Sequence, residues 1–249
     1  ADPAVDYIGF IEGNVLFDGR ADVVVADGFA GNIALKSIEG AARMAGHLLR
    51  GWFDALNPLE RAGMSLARGK LQRLRHDLNP QRYNGASFVG LSGVVVKSHG
   101  SADQEGFGSA IAQAAREVLA SDTALLTLGG DHFITWPLLK AHAEKHGPLS
   151  LIQIDAHSDT WEDEPGRIDH GTMIWHAVRE GLIVPETSVQ VGIRTHNPDP
   201  LGVHVIDARE VHLTGPEAVA GKVRAIVGDR PCYLTFDIDA LDPSAAPGT

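Results

Sequence analysis

Leu149-Ser-Leu-Ile-Gln-Ile-Asp-Ala-His-Ser-Asp-Thr160 is the stretch on which the reading of this chain turns. Its apolar run, 149–154, predicts a buried strand ending at Asp155. Beyond that end Asp155, His157 and Asp159 alternate at period two, so an extended continuation would project all three from one edge. Two other strand ends have the same character. Thr127-Leu-Gly-Gly-Asp-His132 sets a histidine after an apolar strand and a Gly-Gly turn, and Tyr233-Leu-Thr-Phe-Asp-Ile-Asp239 sets Asp237 and Asp239 on one side of another strand. Carboxylates gathered within a few ångströms raise one another's pKa and resist joint ionisation unless a cation sits among them. His132, Asp155, His157, Asp159, Asp237 and Asp239 together exceed what one ion with an open water site needs, and their oxygen and nitrogen donors suit two Mn²⁺-like ions sharing carboxylates. Singly, an Asp-x-Asp is a loop start or helix cap and a Gly-Gly-Asp-His is a turn. Their joint occurrence favours the metal reading.

These residues resemble the ureohydrolase family, and within it the agmatinase branch. The likeness is carried by Gly129-Gly-Asp-His132, Asp155-Ala-His-Ser-Asp159, Asp169-His-Gly-Thr172, Phe236-Asp-Ile-Asp-Ala-Leu-Asp-Pro243 and Ala246-Pro-Gly-Thr249, and runs from about Ala120 to the last residue. It implies a dinuclear manganese site on an α/β/α fold, with Asp155 and Asp237 bridging, His132 and Asp159 completing one ion's shell, and His157 and Asp239 the other's. It further implies hydroxide attack on the guanidinium carbon of agmatine, giving urea and putrescine, with His170 as proton shuttle or substrate contact. Apart from the resemblance, Asp169-His-Gly171 is a turn. The family's first strands and the glutamate that grips the guanidinium group lie outside the match.

The chain has 249 residues, 44% of them hydrophobic and 21% charged, which is ordinary for a globular protein with a sizeable core. No apolar run approaches the roughly 20 residues of a membrane span, and the first residues carry no secretory signal. A single cysteine, Cys232, rules out an internal disulfide and fits a cytoplasmic location; it reads as a small buried hydrophobe in a strand. Residues 1–120 hold 12 Lys+Arg and 13 Asp+Glu, a balance of −1, while the remainder holds 9 and 19, a balance of −10. An acidic surface argues against nucleic acid as a partner and favours a small cationic substrate.

The first half has its own pattern. Residues 21–27, Ala-Asp-Val-Val-Val-Ala-Asp, predict a short buried strand, followed by a glycine turn and a helix through Leu35, Ile38, Met44, Leu48 and Leu49 with Asn32 as N-cap. Residues 91–97 predict a second strand, running into Ser98-His-Gly-Ser101 and a helix with Ser101 and Gln104 spaced as a capping box. Free N–H groups at such helix starts hold anions, and Lys97 and His99 add positive charge; a plain βα connection uses the same glycines. Between these, 59–83 is basic and amphipathic, fit either to lie on an anionic membrane or to pack as a solvated helix.

Residues 21–36, Tyr83-Asn-Gly-Ala86 and 93–103 resemble the C-terminal part of the bacterial phosphate acyltransferase of phospholipid synthesis, over about residues 7–118. That resemblance implies acyl transfer from acyl carrier protein to phosphate, a homodimer, membrane association, and a phosphate and acyl site near Asp27, Asn32, Lys97, His99 and Ser101. The whole is therefore expected to be an α/β chain of mostly parallel sheets flanked by helices, in two incomplete α/β/α segments, 1–118 and 119–249. Three functions stand open: manganese-dependent amidinohydrolysis, acyl transfer to phosphate, or metal binding without catalysis.

Overall fold

The computed structural model describes residues 5–57, 69–70, 79–100, 102–162 and 168–246. The chain divides into two compact units, Ala1–Leu78 and Asn79–Thr249. Ser101 and most of 59–83 lie outside the described residues.

In the first unit the main element is helix α1, Gly28–Asp54. Its N-cap is Asp27, whose carboxylate accepts from the N–H groups of Phe29 and Ala30, both at 3.0 Å. Asn32 therefore sits inside the helix rather than capping it, because an ionised carboxylate one turn earlier satisfies the free N–H groups first. The strand expected over 21–27 is irregular backbone, with Val23 and Val25 exposed. A strand persists only with a partner, and the described residues of this unit offer none.

The second unit opens with a 3₁₀ turn, Pro80–Tyr83, followed by a two-stranded antiparallel ribbon, β1 (Ala86–Ser87) and β2 (Val96–Lys97). The strand expected over 91–97 is thus confined to its last two residues, and it lies outside the main sheet. Asn84 ties it down: its Oδ1 accepts from His99 N–H at 2.8 Å, and its Nδ2 donates to Ser98 Oγ and the Gly106 carbonyl. Helix α2, Gln104–Leu119, is capped by Asp103, which accepts from Gly106 N–H at 2.9 Å; Gln104 lies in the first turn and is no partner in a capping box.

Helix α3, Thr135–His146, packs on α2 through Ala115, Leu119, Leu138 and Ala141. A doubly bonded Arg116–Glu144 pair, 2.6 and 2.8 Å, closes the seam. Strand β3, Ser150–Ile154, follows, then helix α4 (Met173–Arg179), β4 (Val189–Ile193), β5 (His204–Asp207), α5 (Ala208–Thr214), α6 (Pro216–Val227) and β6 (Cys232–Phe236). The four strands form one parallel sheet in the order β5-β4-β3-β6.

Both faces of the sheet are covered around β3, which is why β3 reads as a near-continuous apolar run, whereas Leu234 and Phe236 of β6 are exposed. Leu151 packs with Trp136, Leu139, Met173 and Ile174 on the α3 and α4 side. Ile152 and Ile154 join Val189, Val191 and Ile206 against Val219 and Val227 of α6 on the other. From β3 the chain moves outward to β4 and β5, then returns to β6 on the opposite side of β3. At such a switch the carboxyl ends of adjacent strands part and leave a crevice where ligands bind.

Two expected details differ. Residues 123–129 form no strand, and Leu126 and Leu128 are exposed, while Leu125 anchors the segment on the α2–α3 seam. Cys232 lies in a strand as expected but is exposed, because β6 borders the sheet. No helix among the described residues is long and apolar enough to cross a membrane.

The sheet also carries a bulge between Val191 and Ile193. Gly192 takes φ +95° there, and a Cβ on it would lie 3.2 Å from the Asp155 carbonyl oxygen. Gly192→Ala should lower stability by about 1–3 kcal/mol in urea unfolding, from left-handed backbone and this close approach together. Leu151→Ala should cost about 2–5 kcal/mol, whereas exposed Leu213→Ala stays within about 0.5 kcal/mol. Equal costs for the two leucines would contradict the burial of β3 against α3 and α4.

Candidate metal centre

The ends of β3 and β6 and the 3₁₀ turn at His132 put six side chains in one place. Asp155 follows β3 directly, its N–H bonded to the Val191 carbonyl at 3.0 Å, and Asp237 follows β6, its N–H bonded to the Ile154 carbonyl at 2.9 Å. The two carboxylates thus start from adjacent, hydrogen-bonded strands.

The alternation of Asp155, His157 and Asp159 converges for a different reason from the one expected. The chain does not stay extended. Asp155 Oδ1 accepts from His157 N–H at 2.7 Å, an Asx turn that folds the backbone back over the strand end. Asp159 then takes φ +52°, left-handed backbone that costs a non-glycine residue energy and is tolerated where the surroundings hold it. Its carbonyl accepts from Ile174 N–H at the start of α4, and its side chain is buried. The second pair repeats the turn: Asp237 Oδ1 accepts from Asp239 N–H at 3.0 Å, and Asp239 Oδ1 accepts from Ala156 N–H at 3.1 Å. Arg194, just past β4, clamps this turn by donating to the Asp239 carbonyl at 2.5 Å.

His132 reaches the cluster from the 3₁₀ turn His132–Ile134, whose cap is Asp131. Its Nε2 is paired with Thr235 Oγ1 at 2.8 Å, which leaves Nδ1 facing inward. Around Nδ1 lie Asp155 Oδ2 at 3.0 Å, Asp159 Oδ2 at 3.1 Å and Asp237 Oδ2 at 3.3 Å. Yet Nδ1 is buried and makes no well-directed hydrogen bond with any of them. On the other side of Asp155, His157 Nδ1 lies 2.7 Å from Asp239 Oδ2 and 3.8 Å from Asp155 Oδ1. Two ligand sets result, His132–Asp155–Asp237 and Asp155–His157–Asp239, each with donor atoms mutually within 4.8 Å. Asp155 is common to both, one oxygen turned to each.

The electrostatics carry the expected conflict. Burial opposes a charge on His132, but the carboxylates of Asp155 and Asp159 outweigh it and raise its pKa to about 9. Asp159 is pushed up to about 6, by burial first and with the Asp155 charge adding to it, against the opposing pull of His132. Asp155 is lowered in spite of burial, because His132, the His157 N–H and the Gln153 amide all favour its ionised form. A ring nitrogen with three anionic oxygens around it and no hydrogen bond, at an anchored strand end, fits a cation at the centre of the set.

His170 stands apart from the six. The Asp169 side chain accepts from Gly171 N–H and shapes the turn, and His170 Nδ1 lies 3.2 Å from Asp131 Oδ2, both side chains well exposed. Of the other candidates, Asp27 caps α1, Asn32 lies within it, Lys97 is exposed on β2 and His99 follows it; Ser101 lies outside the described residues. Sequence reasoning overlooked Asp131, Thr235, Arg194, and the two glutamines Gln153 and Gln190. Gln153 and Gln190 each gave a signal, as the one amide inside an otherwise apolar run.

The chain is also similar to known proteins. The agmatinase of Chromobacterium violaceum is 56% identical over 141 residues, covering 56% of this chain and 44% of its own length. A solved structure of a hypothetical agmatinase from Burkholderia thailandensis superposes with a TM-score of 0.56 at 59% identity, over 57% of this chain and 45% of that one. Proclavaminate amidino hydrolase from Streptomyces clavuligerus superposes with a TM-score of 0.55 at 41% identity, over 57% and 50%. The chain thus spans about half the length of these relatives. The pattern of the arginase family matches residues 60–249, more than half of the sequence, and on that match, with the parallel sheet and its clustered acids, the chain belongs to the arginase family.

Proposed function

We propose that residues 119–249 carry an amidinohydrolase site that uses two Mn²⁺ ions to release urea from a guanidino compound, agmatine foremost. The observation that supports this most directly is Asp155, buried at a strand end with one oxygen toward each histidine, as a carboxylate shared by two ions must be. His132, Asp159 and Asp237 would hold one ion, and His157 and Asp239 the other, with Asp237 as a second shared ligand. Such ions supply the Lewis acidity that makes water nucleophilic at neutral pH.

The chain's own residues would do the rest. Thr235 fixes the His132 ring through Nε2, so that Nδ1 stays presented. His157 is half exposed and marks the open side of the site. Asp131 holds His170 by Nδ1, which leaves Nε2 to carry a proton to the leaving amine as its bond to the guanidinium carbon breaks and urea forms. The balance of −10 over 121–249 favours arrival of a cationic substrate. A cytoplasmic, homo-oligomeric enzyme completes the proposal, and the single free cysteine is in keeping with a reducing compartment.

Acyl transfer to phosphate by residues 7–118 draws no comparable support. Both helix starts it would use are filled by the chain's own carboxylates, Asp27 and Asp103, which repel an incoming anion. The purified chain loaded with Mn²⁺ should release urea from agmatine, and His170→Asn should lower kcat about 10²–10⁴-fold while two ions remain bound. No urea from the metal-loaded chain, or acyl phosphate formed from acyl carrier protein instead, would contradict the proposal.

A further inference from the structure

Gln153 and Gln190 are fully buried amides at paired positions on β3 and β4, in a sheet whose other inward positions are mostly apolar. A primary amide in a core costs stability unless its donors and acceptor are used, so the partners of these two are informative. Gln190 Nε2 donates to the Ser158 carbonyl at 2.5 Å and to Gln153 Oε1 at 2.8 Å. Gln153 Nε2 donates to Asp155 Oδ2 at 2.7 Å and to the His157 carbonyl at 3.2 Å, and lies 3.5 Å from Asp159 Oδ2.

The direction of this chain of bonds is fixed at both ends. A backbone carbonyl only accepts, so Ser158 obliges Gln190 to present its NH₂, and both hydrogens of that group are then used. Gln153 must answer with its oxygen, which turns its own NH₂ toward Asp155, where the His157 carbonyl demands a donor as well. Flipping either amide would set oxygen against oxygen at two points.

We propose that Gln190 and Gln153 form a one-way amide relay that positions the shared carboxylate of the metal centre; the inference rests on the metal reading of that centre. The Gln153 amide takes one lone pair of Asp155 Oδ2, as the His157 N–H takes one of Oδ1. Each oxygen is left with its other lone pair directed into the cluster, one toward His132 and one toward His157. The relay therefore sets the plane of Asp155, and with it the spacing of the two ions. Through Ser158 and His157 it also ties that plane to the backbone of the loop bearing Asp159. Gln153 and Gln190 are positioning residues: neither is a ligand, and both act through Asp155.

Mn²⁺ titration of the metal-free chain, followed by the spin-coupled EPR signal of an ion pair, is the test. Wild type should bind two ions with a coupled signal; failure at this step would refute the metal reading itself. Gln153→Met keeps the length of the side chain and removes the donor. It should weaken Mn²⁺ binding about 10–100-fold and abolish or alter the coupled signal. Gln190→Met should have the same kind of effect but smaller, and the double variant should bind no more weakly than Gln153→Met alone, as expected of residues acting in series. Should Gln153→Met fail to fold, Gln190→Met carries the test. Unchanged affinity and coupling in a folded variant, with only thermal stability reduced, would overturn the proposal and leave the glutamines a structural role.

Discussion

Four carboxylates and two imidazoles meet where β3 and β6 end, and the repulsion among the carboxylates is the constraint around which this half of the chain is built. Isolated in a crevice they resist joint ionisation, and Asp159 shows it: burial first, and the charge of Asp155 in addition, raise its pKa to about 6. Three features hold them in spite of this. Adjacent parallel strands fix the Cα positions of Asp155 and Asp237, two Asx turns aim the following ligands inward, and hydrogen bonds from outside the cluster fix His132 and Asp155. Each of these costs the fold something, in left-handed backbone at Asp159 or in amides buried within the sheet. The expense is intelligible if cations relieve the repulsion.

The sheet order explains why the site is here and nowhere else along the strands. β3 lies at the centre, and the chain leaves it in one direction for β4 and β5 and in the other for β6. The crevice opened by that reversal lies at the carboxyl ends, where turns have room to fold over the strands. The Gly192 bulge lets β4 come within reach of the Asp155 carbonyl, and Arg194 beyond it grips the Asp237–Asp239 turn. β4 thus supports the ligand loops that follow β3 and β6 without supplying a ligand.

Much of this was legible in the sequence because the ligands sit next to apolar runs that mark strand ends. Residues 149–159 gave both the strand and its acids, and 233–239 did the same. The mechanism of convergence was not legible: period-two spacing suggested an extended edge, whereas the side chains of Asp155 and Asp237 bond to N–H groups two residues on and turn the chain instead. Contacts between strands were also hidden, since nothing in the spacing of Gln153 and Gln190 announces that they are register partners. In the first half, Val23 and Val25 had strand propensity without a partner strand, and Asp27 and Asp103 claimed the helix starts assigned to Asn32 and Ser101. The expected division and the packing also differ: an acyltransferase-like segment was expected to run to about 118, while the packing unit begins at Asn79 and joins α2 to α3, and the arginase family match already starts at residue 60.

Whether two cations share Asp155 can be seen by anomalous X-ray scattering at the manganese edge from crystals grown with Mn²⁺. Two peaks are predicted, one among His132, Asp155, Asp159 and Asp237 and one among Asp155, His157 and Asp239, each within coordination distance of a different Asp155 oxygen. A single peak that does not touch Asp155, or none in this crevice, would contradict the account.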